Sequence, residues 1–231
     1  MLTGVTITGA DDGVDPRELV ALSEEFPFVE WGILFSTKRS GEPRYPSQDW
    51  ANCAGKKFYG VRYAIHMCGQ AARETLAGSE RWLPSRGYCR VQLNGWARQT
   101  ANTGQLSWHA VRRSVSFILQ CCDAVDLQHA ANDAAEIECA EILYDPSGGR
   151  GIEAIRWPAP PRGARLGYAG GITPDNVEQV IADIAAANLH AGNDWWIDME
   201  SGVRTDDRLD LAKVRAVLER AKPYLAAGGS R

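Results

Sequence analysis

The chain has 231 residues, and 25 Lys plus Arg set against 29 Asp plus Glu leave a formal charge of −4. With 45% apolar residues, 23% charged residues and eight Trp it holds the material of a packed core, which excludes a disordered segment. The mild acidity argues against the broad basic surface of a nucleic-acid binder, and no run reaches the ~18 apolar residues of a membrane-spanning helix.

In chain order, β-rich runs fall at 4–9, 29–35, 60–67, 88–94, 124–129, 141–145, 165–170 and 195–200. Helical spacing lies between several of them. It is clearest at Trp108, Val111, Val115, Ile118 and Leu119, at Val177, Val180, Ile181 and Ile184, and at Leu211, Val214, Leu218, Ala221 and Leu225. Asp15 before Pro16, and Thr173 before Pro174, place a capping side chain ahead of a proline that suits a first helical turn. Nearly continuous apolar strands joined by helices imply a parallel sheet, and eight repeats in a chain close to the typical ~250 residues predict a single (β/α)8 TIM barrel over 1–225. The spacing predicts a short crossover at 132–140, a stiff connection at 157–163 (WPAPPRG) and a flexible C-terminal tail at 226–231.

The six cysteines are scattered without a C-x-x-C pair, which predicts free thiols, no metal and no cofactor. The opening MLTGVTITGADDG has neither the basic start nor the apolar centre of a signal peptide, and a cytoplasmic location is expected. In such a barrel the chemistry belongs at the C-terminal ends of the strands. Polar residues expected there include Thr6, Thr8, Ser36, His66, Gln92, Asn94, Gln128, His129, Asp145, Asp198, Glu200 and Ser201, with the glycines Gly170 and Gly171.

These strand ends resemble the phosphoribosylanthranilate isomerase family. Residues 5–9 (VTITG) resemble that family's V-K-I-C-G, Pro43-Arg44-Tyr45 its P-R-Y, and Gln92-Leu93-Asn94-Gly95 its Q-L-H-G. Leu143-Tyr144-Asp145 with Gly148-Gly149-Arg150-Gly151 resembles L-L-D with G-G-T-G. Residues 169–177 (AGGITPDNV) resemble A-G-G-L-T-P-E-N-V, and residues 198–203 (DMESGV) resemble D-V-S-S-G-V. The resemblance implies a barrel that rearranges a phosphorylated aminosugar into the corresponding aminoketose by an Amadori-type aldose–ketose isomerisation. Such chemistry takes a proton from carbon 2 while another group protonates the ring oxygen, so it needs an acid and a base.

Asp145 is the expected acid, a carboxyl able to donate if burial raises its pKa. The matching position for the family's basic cysteine is Thr8, whose hydroxyl cannot abstract a carbon-bound proton unaided. Asp11, His66 and His129 are the candidate substitutes. By resemblance Arg44 would hold the anthranilate carboxylate, a task suited to a guanidinium fork. Asn94, Asp198, His66 and His129 are further substrate-binding candidates. Gly170 and Gly171, with Ser201 and Gly202, form the expected phosphate cradle. Glu200 stands where the family has serine, and is expected to turn away from a phosphate or pair with Arg204 or Arg150. The expected partner is a phosphorylated small molecule, neither nucleic acid nor membrane, for a monomer or homodimer. The substitutions at Thr6, Thr8, Asn94 and Glu200 leave a second reading open: a divergent barrel that binds an anion without the isomerase chemistry.

Overall fold

The computed structural model describes residues 1–57, 60–84, 87–95, 101–148, 150–151, 154 and 156–225. Eight parallel strands pair in chain order: β1 (Leu2–Thr8), β2 (Val29–Phe35), β3 (Tyr63–Met67), β4 (Arg90–Leu93), β5 (Ser116–Cys121), β6 (Glu141–Tyr144), β7 (Leu166–Ala169) and β8 (Trp195–Met199). β8 returns to pair with β1, closing the barrel. The outer ring is α1 (Pro16–Glu25), α2 (Gln48–Lys57), α3 (Gln70–Leu76), α4 (Thr103–Arg113), α5 (Ala124–Glu136), α6 (Val177–Ala187) and α7 (Leu211–Ala221). Among the described residues no helix follows β6. The described residues there are turns and coil, and Trp157 packs edge-on against Tyr168, whose hydroxyl donates to Pro158 O at 2.9 Å.

One expected strand is corrected. Residues 124–129 form the first turns of α5, and the fifth strand is Ser116–Cys121. Two local signals decide it. Ser114, at a left-handed φ of 53°, ends α4, which frees the apolar run behind it to extend; Asp123 then accepts from Val125 N and Asp126 N and starts α5. The short crossover expected at 132–140 is therefore the last residues of a 13-residue helix, to Glu136, and the turn that follows it. Asp15 caps α1 as expected, whereas α6 begins at Val177, with Asn176 as its cap residue and Pro174 in the preceding turn. The tail at 226–231 and Gly149 of the G-G-R-G segment lie outside the described residues.

Alternation along the strands makes two interiors. Outward residues such as Val5, Ile7, Trp31, Ile33, Val91, Phe117 and Ile197 pack beneath the helices. Inside the barrel, Ile118, Leu143, Ala169 and Trp196 form a small apolar cluster. Toward the N-terminal strand ends the lumen is ionic: Arg90 bridges Glu30 and Glu141, each at 2.5 Å, and Arg165 reaches Glu141 at 2.7 Å. The Arg90 guanidinium also lies 4.4 Å from the Trp196 ring centroid. This departs from the layers of branched aliphatics that usually fill such barrels.

Candidate active site

Parallel strands deliver their C-terminal residues to one mouth, and there Thr8, His66, Gln92, Asn94, Gln120, Asp145, Ser147, Asp198 and Glu200 line a cavity with Gly170, Gly171, Ser201 and Gly202. It measures about 510 Å³, counting the space open to solvent. Carboxyl and expected anion cradle, far apart in sequence, thus share one space.

Asp145 follows β6 and is buried. Gln120 Nε2 donates to it at 2.9 Å, Ser147 Oγ at 2.6 Å and Ser147 N at 3.1 Å. Asp198 lies on β8 one residue before its end and is 5% exposed, with Thr8 Oγ1 donating to its Oδ1 at 2.8 Å. Burial pushes its carboxyl up to about 8; the Thr8 hydrogen bond and the charge of Arg90 pull the other way, while Asp145 and Glu200 add to the rise. Thr8 also lies 3.5 Å from His66 Nδ1. The glycine at position 32 makes this approach possible, since a Cβ there would stand 2.3 Å from Thr8 Oγ1 and 2.8 Å from His66 Cε1.

His66 does not qualify as the missing base. Burial lowers its imidazole to about 3, with Glu30 opposing and Arg90 adding to the fall, so it is neutral and a weak proton acceptor at neutral pH. Its Nε2 and the Oε1 of Gln92 are buried without a hydrogen-bond partner among the described residues, and both side chains line the cavity. Asn94 accepts from Gln92 Nε2 at 2.8 Å and donates to Cys68 Sγ at 3.3 Å. Burial raises the Cys68 thiol, and no cysteine is among the cavity-lining residues, so no thiolate replaces the family's.

Three expectations are corrected. His129 is exposed on α5 and belongs to no strand end. Asp11 is not a cavity residue; its Oδ1 accepts from Gly13 N at 3.0 Å, and its Oδ2 from Arg44 N at 2.8 Å and an Arg204 Nη at 3.2 Å. Arg44 does not present a free fork either. Its Nε donates to Asp207 at 2.6 Å and an Nη to Glu200 at 2.9 Å, with Ser201 Oγ at 3.4 Å. The counter-charge of Glu200 is therefore Arg44, while Arg204 serves Asp11 and Gly9 O. Burial still holds the Glu200 carboxyl above its ordinary range, against the pull of Arg44.

Gly170 and Gly171 turn the chain out of β7 at φ 114° and 65°, where a side chain is strained. Gly202 lies in a short 3-10 helix, Ser201–Val203, so close to the β7 loop that a Cβ would fall 1.9 Å from Ile172 O. Gln120 and Ser147 are site residues that the sequence reading missed. Gln120 follows directly on a run of helical spacing; the signal for Ser147 is its place two residues after Asp145, from which a hydroxyl can reach back to the carboxylate.

Residues 101–220 match the family model described as N-(5'-phosphoribosyl)anthranilate isomerase. A stretch of 89 residues is 40% identical to the N-(5'-phosphoribosyl)anthranilate isomerase of Geobacillus thermodenitrificans, covering 35% of this chain and 36% of that relative. The match thus spans about a third of that relative's length (36%). Among solved structures, the isomerase of that name from Pyrococcus furiosus aligns with a TM-score of 0.61 at 16% identity, over 96% of this chain and 99% of that one. Phosphoribosyl anthranilate isomerase from Thermus thermophilus aligns at 0.58 and 21%, with the same coverage of 96% and 99%. At these identities the two structures speak for the fold alone.

Proposed function

Because the chain belongs to the N-(5'-phosphoribosyl)anthranilate isomerase family, we propose that it catalyses an aldose–ketose isomerisation of a phosphorylated aminosugar in the cavity at the C-terminal mouth of the barrel. The observation that carries this reading is the convergence of two buried carboxyls, Asp145 and Asp198, with the Gly170-Gly171 turn and the Ser201-Gly202 helix start on one space. One carboxyl supplies a proton to the ring oxygen while the other takes one from carbon 2. The turn and the helix start suit a phosphate, and Arg44, by neutralising Glu200, removes the like-charge repulsion that serine would not have caused. His66 Nε2 and Gln92 Oε1, without a partner among the described residues, suit sugar hydroxyls.

The test is the fluorescence-monitored consumption of phosphoribosylanthranilate by the purified chain, with rescue of a tryptophan-requiring strain. Turnover that falls about 10²- to 10⁴-fold in Asp145→Asn and in Asp198→Asn is expected. Turnover equal to that of either variant would end the reading. The threonine at position 8 and the engaged fork of Arg44 favour a second one, a barrel that binds an anionic sugar without isomerising it. Activity that appears only in Thr8→Cys would select that reading.

A further inference from the structure

We propose that, in the isomerisation inferred above and resting on that reading, Asp198 delivers the proton to the ring oxygen and Asp145 removes the one on carbon 2, so that the strand-six carboxylate is the base. An acid must hold a proton before the step and a base must lack one, and the surroundings of the two carboxyls differ in just this respect. Among the described residues Asp145 accepts from the N–H groups of Gln120 and Ser147, which cannot reverse, and from Ser147 Oγ, whose lone pairs already accept from Arg150 N and Gly151 N; such surroundings favour the acceptor-only carboxylate. Among the described residues Asp198 takes a single hydroxyl, Thr8 Oγ1. A hydroxyl can reverse: it can accept from a protonated Asp198 and donate toward His66 Nδ1, 3.5 Å away on its other side.

The charges around Asp198 point the same way. From β6 it faces Asp145, and from its own strand end Glu200, whose counter-charge Arg44 is shared with Asp207. From β4 it faces Arg90, already bridged to Glu30 and Glu141. β1 contributes the uncharged Thr6 and Thr8, β3 the neutral His66, and the end of β7 only Ala169 and the glycines. Burial dominates this balance and holds the carboxyl near pH 8, so that it carries its proton at neutrality.

The step then balances. Asp198 protonates the ring oxygen as the bond from that oxygen to carbon 1 breaks, the nitrogen lone pair forming a C=N bond. Asp145 takes the proton from carbon 2, whose electron pair forms the C1=C2 bond and returns the iminium pair to nitrogen. The enol becomes the ketone by losing its hydroxyl proton as carbon 1 gains one. Solvent carries the proton from Asp145 back to Asp198, restoring both.

The pH dependence of kcat/KM for phosphoribosylanthranilate, measured on the full chain and on Asp198→Asn, separates the two assignments. With Asp198 as acid, kcat/KM falls about tenfold per pH unit above about 8, and the limb is absent from the residual activity of Asp198→Asn. Activity that instead rises through the same range overturns the assignment and leaves the functional reading intact. Infrared difference spectra between pH 6 and pH 10 add a readout without turnover. A protonated-carboxyl band present in the native chain and missing from Asp198→Asn is expected, and its absence from the native chain also overturns the assignment. A chain inactive at every pH removes the functional reading, and this proposal with it.

Discussion

Thr8 is where the chemistry of this barrel turns on a single hydroxyl. It fills the position of the family's thiol, yet its 2.8 Å hydrogen bond makes it an auxiliary of Asp198. Hydrogen bonding from Thr8 is one of the forces holding the Asp198 carboxyl below the value burial alone would give. Replacing Thr8 by valine, nearly its equal in shape, should therefore move that carboxyl above 8 and cost about 1–3 kcal/mol of stability through the lost donor. The cost should be larger at pH 9 than at pH 6, because the ionised form needs the donor more; urea unfolding at the two pH values measures it. At this scale the sequence was partly legible. Asp145, Asp198 and the glycine pairs stand out as polar or flexible residues at strand ends, whereas the raised pKa of Asp198 depends on burial and on neighbours from β1, β4 and β6 that no local window contains.

Among the elements, the loop at 36–47 behaves as a rim piece for the mouth. Arg44 holds it to the loops after β1 and β8: its backbone N–H donates to Asp11, and its guanidinium binds Glu200 and Asp207. Ser47 adds contacts to Asp12, at 2.6 Å from its N–H and 2.5 Å from its hydroxyl. Arg44 adopts φ 73°, a conformation unfavourable for its residue type and kept by these contacts. Arg44→Met should loosen the loop. Half-exposed ion pairs are worth about 0.2–1 kcal/mol, so amide hydrogen exchange across 36–47 should speed up about two- to fivefold while the strands keep their protection. The element pattern was legible where strand and helix signals were separate, as for β2, β6, β8 and α7. It fails at 108–129, because a buried parallel strand has no period of its own: Ile118 and Leu119 fit the end of the preceding helical spacing, and only the Asp123 cap marks the next helix start.

For the whole molecule, two buried carboxyls set opposite limits on stability. Burial alone would raise Glu30, but the charge and hydrogen bonds of Arg90 overcome it and bring the carboxyl to about 2, below the ordinary 4.5. Its contribution is full above pH 4.5 and is lost as pH falls toward 2. Asp198 is raised from 3.8 to about 8, so its contribution is full below 3.8 and is lost as pH rises through 8. Thermal unfolding from pH 2 to pH 10 should give a Tm that declines on both sides, and Asp198→Asn should flatten the alkaline side only. Closure of the barrel was legible from eight repeats and the ordered strand-end motifs. The ionic lumen was not, because Glu30, Arg90 and Glu141 lie about 50 to 60 residues apart and meet only once the sheet closes.

The two sets of ion pairs also differ in their access to dissolved ions. Arg90, Glu30 and Glu141 are dry, with side chains 3% to 9% exposed, whereas Asp207 at the rim is 51% exposed. Electrolyte screens wet pairs and hardly reaches dry ones. Sodium chloride should thus weaken the hold of Arg44 on the lip of the barrel while sparing the ion pairs of its floor.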